Sequence, residues 1–424
     1  MMKHPPHLPL LLAACCALLP PAALAQFVTA DGRLRLSGFG TIGVATTDEG
    51  SLAYSQPGRL DGVREGLSLK LDTKLAVQVR HKLTDTVTAT VQLLSKHRPQ
   101  KDFNPEVEWA FLRWDASPSL SLRAGRLVSQ TFMLSDARDV HYTQLTARPP
   151  MDVYGQVPVN RFEGGDIAYR FEVGDVAMQA SVWGGRSKSR FAALVMDEES
   201  LVTYELSHLV GVNLTAAMDQ GLSLRAGTAA ARVTIRDHDD LPVGALSPAV
   251  LSALRGFHGD GDRIRFSGIG AAYDRDHWLV NAEYTLRHGD SRIPDTLGWY
   301  INTGYRMGAF TPYIGLSKVR VTDSNRSNPF QAALGQAVPL APLAAEVQRF
   351  MEGLNVSERT TILGLRWDAA SKVAVKLQLN HITKPANSSG WFYAPDGGFS
   401  SASTDFYEQE RRINLLSLTL DFVF

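Results

Sequence analysis

The sequence is poor in cysteine and in long apolar runs. Only two cysteines occur among the 424 residues, Cys15 and Cys16, and both fall in an N-terminal segment that we expect to be removed. Without other cysteines, the mature chain cannot use disulfides, thiolate metal sites or a cysteine nucleophile. After residues 8–19, no apolar run approaches the roughly 20 residues of a membrane-spanning helix.

An excess of positive or negative charge is also missing. Lys and Arg together number 43, as do Asp and Glu, and there is no basic tail. A balanced chain without a basic segment offers no electrostatic footprint for a polyanion. We therefore expect no nucleic-acid partner.

Residues 1–25 are predicted to be a signal peptide. A basic residue precedes the apolar run Leu8 to Leu19, and Ala23-Leu24-Ala25 has the small-x-small pattern of a signal peptidase site. A lipoprotein cleavage site at Cys15 is a competing interpretation, and either one implies export. Because no linker or low-complexity segment divides residues 26–424, we predict a single domain there.

Two-residue alternation dominates the rest of the sequence and predicts β-strands. From Leu67 to Arg80, nearly all odd positions are apolar and nearly all even positions are polar or charged. The same alternation recurs at 86–93, 278–287 and 373–380. These runs approach the 9–11 residues of a membrane strand and exceed the 5–6 residues of an average soluble strand. The pattern favours an all-β, transmembrane antiparallel barrel.

Turn signals set the predicted number of strands. Short ones lie at Leu83–Asp85, Ala116–Ser119, Gly174–Asp175, Asp219–Gly221, Asp274–Asp276, Met307–Ala309 and Ala369–Ser371. Longer polar stretches lie near 48–65, 97–105, 128–163, 186–200, 237–262, 288–295, 323–357 and 384–411. Seven short turns alternating with eight long loops predict 16 strands, as in a porin-sized barrel.

The last 13 residues form a strand that ends on an aromatic residue. Leu416, Leu418, Leu420, Phe422 and Phe424 share one face, and the polar Ser417, Thr419 and Asp421 share the other. With its leader, Gly-rich first strand, alternating strands and terminal Phe424, the chain resembles the proteobacterial outer-membrane porins. That resemblance implies a channel for passive diffusion in a Gram-negative outer membrane. It also implies contact with lipid and lipopolysaccharide, a homotrimer, and recognition of Phe424 by the barrel-assembly machinery.

The run LSGFGTIGVATT at 36–47 contains the G-x-G-x-x-G spacing of a nucleotide-binding turn. That site requires a helix after the glycines, whereas a polar loop follows here. We therefore interpret the run as the first strand, with Gly38 and Gly40 on its outer face. The glycines either admit a trimer contact, as the porin resemblance suggests, or bend the strand.

The longest predicted loop runs from Val128 to Glu163, and a connection of that length calls for a functional explanation. In the porins that the chain resembles, the third external loop folds into the lumen and narrows it. The resemblance therefore implies that the charged residues of this loop line the constriction. These residues are Asp136, Arg138, Asp139, Arg148, Asp152 and Arg161.

Strand parity predicts a pore wall that is mainly basic. The predicted wall residues are Arg35, Lys70, Asp72, Lys74, Arg80 and Arg123, with Glu106 and Glu108 as balancing acids. A ladder of charge in a narrow aqueous pore biases which ions enter. We therefore expect a mild preference for anions at low salt.

An outer-membrane barrel enzyme, of lipase or protease type, is the alternative function. It needs a Ser-His or Asp-His group, and the sequence has no G-x-S-x-G elbow. The acidic run Asp237–Asp240 is better explained as a solvated loop than as a cation site. We expect no cofactor and no metal. Residues 339–352 are predicted to form a short amphipathic helix in the seventh loop.

Overall fold

The computed structural model describes residues 27–59, 61–100, 102–195, 198–236, 260–290, 293–324, 328, 330–331, 341–393 and 401–424. The predicted signal peptide and the acidic run at 237–240 lie outside these residues. Sixteen long strands make up most of the described chain. They are β1 Leu34–Thr47, β2 Lys74–Lys82, β3 Val87–Lys96, β4 Glu106–Asp115, β5 Leu120–Val128, β6 Arg161–Val173, β7 Val176–Val195, β8 Glu198–Met218, β9 Leu222–Arg236, β10 Asp260–Arg275, β11 Trp278–Gly289, β12 Asp295–Tyr305, β13 Phe310–Asp323, β14 Glu358–Ala370, β15 Val373–Lys384 and β16 Arg411–Val423.

The strands form one closed antiparallel barrel. Each strand pairs with the next along the chain, and β16 pairs with β1, from Leu415 opposite Thr47 to Val423 opposite Phe39. The segment Phe27–Val28 adds a short pairing to β1. The predicted number of 16 strands is confirmed.

The two faces of the barrel wall differ in polarity. Outward residues such as Val212, Ile269 and Leu363 are 46%, 61% and 52% exposed, whereas the polar Thr285 and Ser417 are buried. An apolar outer face around a polar interior is the pattern of a barrel that spans a membrane, because lipid cannot hydrogen-bond to the backbone. The barrel therefore has the apolar outer surface of a multi-pass membrane protein.

All seven predicted short turns are confirmed within two residues, and they lie at one end of the barrel. The predicted loop at 97–105 is confirmed as well. The loop predicted at 186–200 is wrong, because β7 continues to Val195 and β8 begins at Glu198. Asp260 to Asp262, placed in a loop by the sequence, belong to β10.

The strand predicted from Leu67 to Arg80 begins only at Lys74. Residues 67–73 belong to loop one, the connection 48–73, where Ser68 bridges to Ala45 and Leu67 is 74% exposed. Lys70 and Asp72 therefore lie outside the strand to which parity assigned them. Lys74 and Arg80 are on β2 as predicted.

The long loops pack together over one mouth of the barrel. Ala53–Tyr54 of loop one pairs with Phe392–Tyr393 of loop eight, the connection 385–410. Leu52, Trp391 and Phe406 join the same buried apolar cluster. This cap fixes the position of the loops relative to the barrel wall.

The described parts of the loops contain three α-helices: α1 Met151–Tyr154, α2 Ala341–Gly353 and α3 Ser401–Glu408. Helix α2 confirms the helix predicted at 339–352, with a start two residues later. Within the described ranges, no helix has the length and apolar character needed to cross a membrane.

The two outward glycines of β1 make room for aromatic rings of the same chain. Gly38 exchanges two backbone hydrogen bonds of 2.9 Å with Phe424, and a Cβ on Gly38 would lie 2.3 Å from that ring and 2.4 Å from the Ala76 carbonyl oxygen. A Cβ on Gly40 would lie 2.4 Å from the ring of Phe422. The glycines therefore admit the aromatic end of β16 at the seam.

We expect Gly38→Ala to destabilise the closed barrel, because the new methyl group collides with a backbone oxygen that can move only with β2. Overpacking of this kind costs about 1–3 kcal/mol. The temperature at which the folded band is lost on a denaturing gel measures the effect. Gly268→Ala is the matched control, since its Cβ would lie 3.3 Å from the nearest atom, a Thr285 methyl carbon, and 3.6 Å from the nearest backbone oxygen. Equal behaviour of the two variants would contradict this account of the seam.

Candidate functional site

Loop three, the connection 129–160, makes its polar contacts with three separate sectors of the barrel. In the first sector, Asp139 forms ion pairs with Lys74 of β2 at 2.8 Å and Lys96 of β3 at 2.9 Å. Burial would raise the pKa of Asp139, but the two ammonium groups hold it well below its usual range. The carboxylate is therefore ionised, and the three groups together carry one net positive charge.

His141 completes this contact as a neutral side chain. Burial, with Lys74 and Lys376 nearby, lowers the pKa of His141 well below its usual value. Lys74 donates to His141 Nε2 at 3.0 Å. Lys376 of β15 donates to the main-chain oxygens of His141 at 2.6 Å and Thr146 at 3.0 Å.

A buried ion pair holds the next part of loop three. Arg148 Nε donates to Asp72 Oδ1 of loop one at 2.8 Å, and Arg148 Nη2 donates to Ser417 of β16 at 2.6 Å. The Arg148 and Asp72 side chains are 3% and 1% exposed. Burial opposes the charge, but Asp72 raises the pKa of Arg148. Removing either partner would leave an uncompensated buried charge.

The second sector is the wall formed by β11 and β13. Glu283 of β11 accepts from the Met133 amide at 2.8 Å and from the Tyr154 hydroxyl. Gln156 donates to Thr285 at 2.8 Å, and Ser317 of β13 donates to Asp152. These contacts hold helix α1 against the wall.

The third sector comprises β6 to β9 and holds the first residues of the loop. Gln130 donates to Asp166 of β6 at 2.8 Å and accepts from Ser181 of β7 at 3.2 Å. Arg225 of β9 donates to the Thr131 main-chain oxygen at 3.2 Å. Arg123 of β5 is paired with the same Asp166 through Nε, at 2.9 and 3.0 Å.

Arg138 and Asp136 lie where loop three does not touch the wall. Arg138 donates to the Tyr154 main-chain oxygen at 2.9 Å and stacks over the Phe132 and Tyr154 rings. Asp136 is exposed, in a single 3₁₀ turn. Both line a cavity of about 20 Å³, the inner cavity, whose other side is formed by residues that include Gln92 and Glu108. That volume holds about one water molecule.

A larger cavity of about 750 Å³, the outer cavity, opens toward the long loops. It shares Glu108, Arg138 and Asn160 with the inner cavity, so the two are continuous. Nine of its lining residues are Lys or Arg and four are Glu. Its lining therefore carries a formal excess of five positive charges.

The structure separates the predicted site residues into paired and exposed groups. Arg161 begins β6, outside the loop in which the sequence placed it, and its guanidinium lies 2.8 Å from Glu106 and 3.2 Å from Glu108. Lys70 pairs with Asp61 at 2.7 Å, away from the wall. Arg35 and Arg80 are exposed on β1 and β2. The paired residues among them contribute less net charge than the sequence suggests.

Sequence reasoning missed three cations of the site. Lys96 was passed over because it ends a strand at a loop boundary, and Lys376 because its run was identified only as a strand. Arg59 was passed over because it lies in the polar loop predicted near 48–65. For Lys96, continuing the alternation of 86–93 by three residues would have found it.

No protein-family model matches the sequence, and no curated protein matches it. Solved structures do. The outer membrane channel DcaP of Acinetobacter baumannii superposes with a TM-score of 0.54 at 12% identity, over 95% of this chain and 100% of its own. The fold is that of the outer-membrane porins. The anion-selective porin from Comamonas acidovorans gives 0.50 at 11% identity, over 92% and 99%, and a trimer form of Vibrio cholerae OmpT gives 0.51 at 10%, over 92% and 100%.

In this porin fold, Asp152 makes the anchoring of loop three sensitive to pH. Burial raises the pKa of Asp152 to about 6, against the bonds from Ser317 and Thr360, and its Oδ1 has no hydrogen-bond partner. Glu358 of β14 adds a second buried carboxyl group nearby. Two adjacent carboxyls disfavour ionisation of both.

We expect loop three to be held more firmly at pH 5 than at pH 8. Between about pH 4 and 6 the docked loop keeps a proton that a free carboxyl releases, so docking weakens by roughly 2–3 kcal/mol as the pH rises, and the loss is complete above pH 6. Current fluctuations of single channels at the two pH values measure this. Asp152→Asn should remove the difference, whereas Asp175→Asn, in the exposed short turn between β6 and β7, should retain it. Identical pH dependence in wild type and Asp152→Asn would refute the assignment.

Proposed function

We propose that the protein is an outer-membrane channel for passive diffusion of small hydrophilic solutes. The observation that carries the proposal is that loop three is bonded to three sectors of one closed barrel. A segment that reaches β2, β11 and β9 together has to cross the lumen. Sixteen strands enclose a space that must hold water or protein, and loop three reduces it to a filter.

The path runs from the outer cavity, past Glu108, Arg138 and Asn160, into the inner cavity. In this proposal the constriction is the inner cavity, which is lined by Arg138 and Asp139 of loop three and by Gln92 of the wall. Charges placed at a constriction act strongly on passing ions. Asp136, Arg138 and Asp139 are therefore the constriction residues of this proposal, while Arg148 and Asp152 position the loop.

The positive excess of the outer cavity supports a preference for anions. The sequence led to the same preference through Arg35, Lys70, Lys74, Arg80 and Arg123. Of these, Lys70 is paired with Asp61, Lys74 with Asp139 and Arg123 with Asp166. The proposal places the source of the preference in the cations around loops one to three.

We further propose a homotrimer in the outer membrane, in contact with lipid and lipopolysaccharide, with Phe424 read by the barrel-assembly machinery. The trimer form of Vibrio cholerae OmpT, which has the same fold, supports this oligomer. Crosslinking of the refolded protein in detergent micelles tests it.

Recording from refolded protein in a planar bilayer tests the channel. We expect stable ohmic steps at symmetric salt. Their absence, together with hydrolysis of lipid or peptide by the same preparation, would replace the channel with the barrel enzyme considered from the sequence.

Lys96→Gln should lower the anion preference at low salt by about twofold, because the group of Lys74, Lys96 and Asp139 then becomes neutral while Asp139 keeps one partner. The effect should vanish at 1 M salt, where the Debye length is about 3 Å. The reversal potential under a salt gradient measures it. Arg412→Gln is the control, since Arg412 is exposed at the same end and lines neither the inner nor the outer cavity. An equal shift in both variants would contradict a filter at Asp139.

A further inference from the structure

A third cavity, the apolar cavity, lies beside the outer cavity and has a volume of about 310 Å³. Its lining includes Trp183, Phe191, Leu209, Val233 and Trp391. An apolar cavity of this size, lined by inward-facing side chains of the wall, is unusual for a pore that passes only hydrophilic solutes. Apolar pockets of about 300 Å³ or more with a few polar groups are typical of small-molecule sites.

The apolar cavity is continuous with the basic one. Pro57, Pro158, Phe191 and Leu206 line both. Loop one closes this junction, because a Cβ on Gly58 would lie 1.9 Å from the Phe191 ring. A molecule at the junction therefore meets an apolar wall on one side and cations on the other.

Arg59 is a buried cation of the outer cavity and follows Pro57 and Gly58, which line the apolar cavity. The residue is 7% exposed and lines the outer cavity, and its guanidinium has no hydrogen bond or ion pair with any residue in the described part of the chain. Burial lowers the pKa of Arg59 to about 10, so the group remains charged at neutral pH.

The acidic residues near Arg59 do not neutralise its charge, because each is paired with other cations. Asp61 is held by Lys70 at 2.7 Å and His97 at 3.3 Å, and Asp139 is held by its two lysines. Arg98 and Arg138 add further positive charge. A buried guanidinium without a carboxylate is a ready partner for a ligand anion, which it binds in a fork of two hydrogen bonds.

The cation that lines the apolar cavity itself, Arg287, is already hydrogen-bonded within the protein. Arg287 donates to the main-chain oxygens of Gln156 and Pro294. It is the one charged residue that lines the apolar cavity among those described. Arg59 is therefore the group available to a ligand at the junction.

We propose that the outer chamber binds amphipathic organic anions, with a carboxylate or sulfonate on Arg59 and an aromatic or branched aliphatic body in the apolar cavity. This deepens the proposed channel function by naming the class of solute that the channel retains before the constriction. The two ends of such a solute match the two linings of the chamber. A small inorganic anion would leave the apolar half unused.

Binding of 4-phenylbutyrate to the refolded full-length protein tests the proposal. Tryptophan fluorescence reports it, because Trp183 and Trp391 line the cavity. We expect saturable binding, at least tenfold weaker for butyrate, which lacks the ring, and for 4-phenyl-1-butanol, which lacks the charge. Comparison at fixed detergent cancels uptake of the probe by micelles.

Two variants separate the two halves of the site. Arg59→Gln should weaken binding of 4-phenylbutyrate at least tenfold, the loss expected for a charge-assisted bond, while Arg59→Lys, which keeps the charge but not the two-bond fork, should weaken it less. Ala229→Leu adds bulk inside the apolar cavity and should weaken phenylbutyrate more than butyrate. Arg412→Gln should bind as wild type does. Retained heat-dependent mobility on a gel verifies that each variant is folded.

Unchanged binding in both Arg59→Gln and Ala229→Leu would overturn the site, as would butyrate binding as tightly as phenylbutyrate. Conductance is recorded separately. Binding without conductance would leave the site standing and refute the channel. Conductance without saturable binding in the wild type would leave the channel standing and refute the site.

Discussion

Closure of the hydrogen-bonded ring is the constraint on which the rest of the structure depends. Lipid offers no partner to a backbone N–H or C=O group, so a strand edge cannot face it. The last strand must therefore meet the first, which requires Gly38 and Gly40 to accept the aromatic end of β16. Closure of 16 strands creates a wide polar interior, and the polar side chains of that interior are the ones that hold loop three.

The parts of the fold that could be predicted from sequence were the local ones. Turn signals and alternation act over a few residues, and they located every short turn. The outer part of the hairpin of β7 and β8 was predicted to be a loop. It continues beyond the apolar belt, where Arg186 and Lys188 alternate with serines, so both faces of the strand are polar. The alternation around Leu67 and Leu69 led to the opposite error. It predicted a strand where the structure has an exposed loop, because a loop sequence can alternate by chance.

The sequence identified most of the charged residues of the site, but it did not identify which of them form pairs. The charges of loop three were identified, but their partners lie far away in sequence: Arg148 meets Asp72, and Asp139 meets Lys74. Which of two like-charged residues carries a partner depends on which wall strands the loop contacts, and no short-range pattern encodes those contacts. Arg59 was missed for the same reason, because its isolation is a property of the folded chain.

Most charged residues that anchor loop three are paired with residues of opposite charge. They therefore contribute less charge to the pore than they would if they were unpaired. A buried ion pair such as Arg148 with Asp72 contributes little net stability, since both ions are removed from water, but it strongly disfavours any arrangement that separates them. Such pairs therefore fix where the loop lies. The pairs Arg148 with Asp72 and Arg123 with Asp166 are neutral, whereas the group of Lys74, Lys96 and Asp139 keeps one net positive charge. Cations that anchor nothing add to that charge, among them Arg59 in the outer cavity.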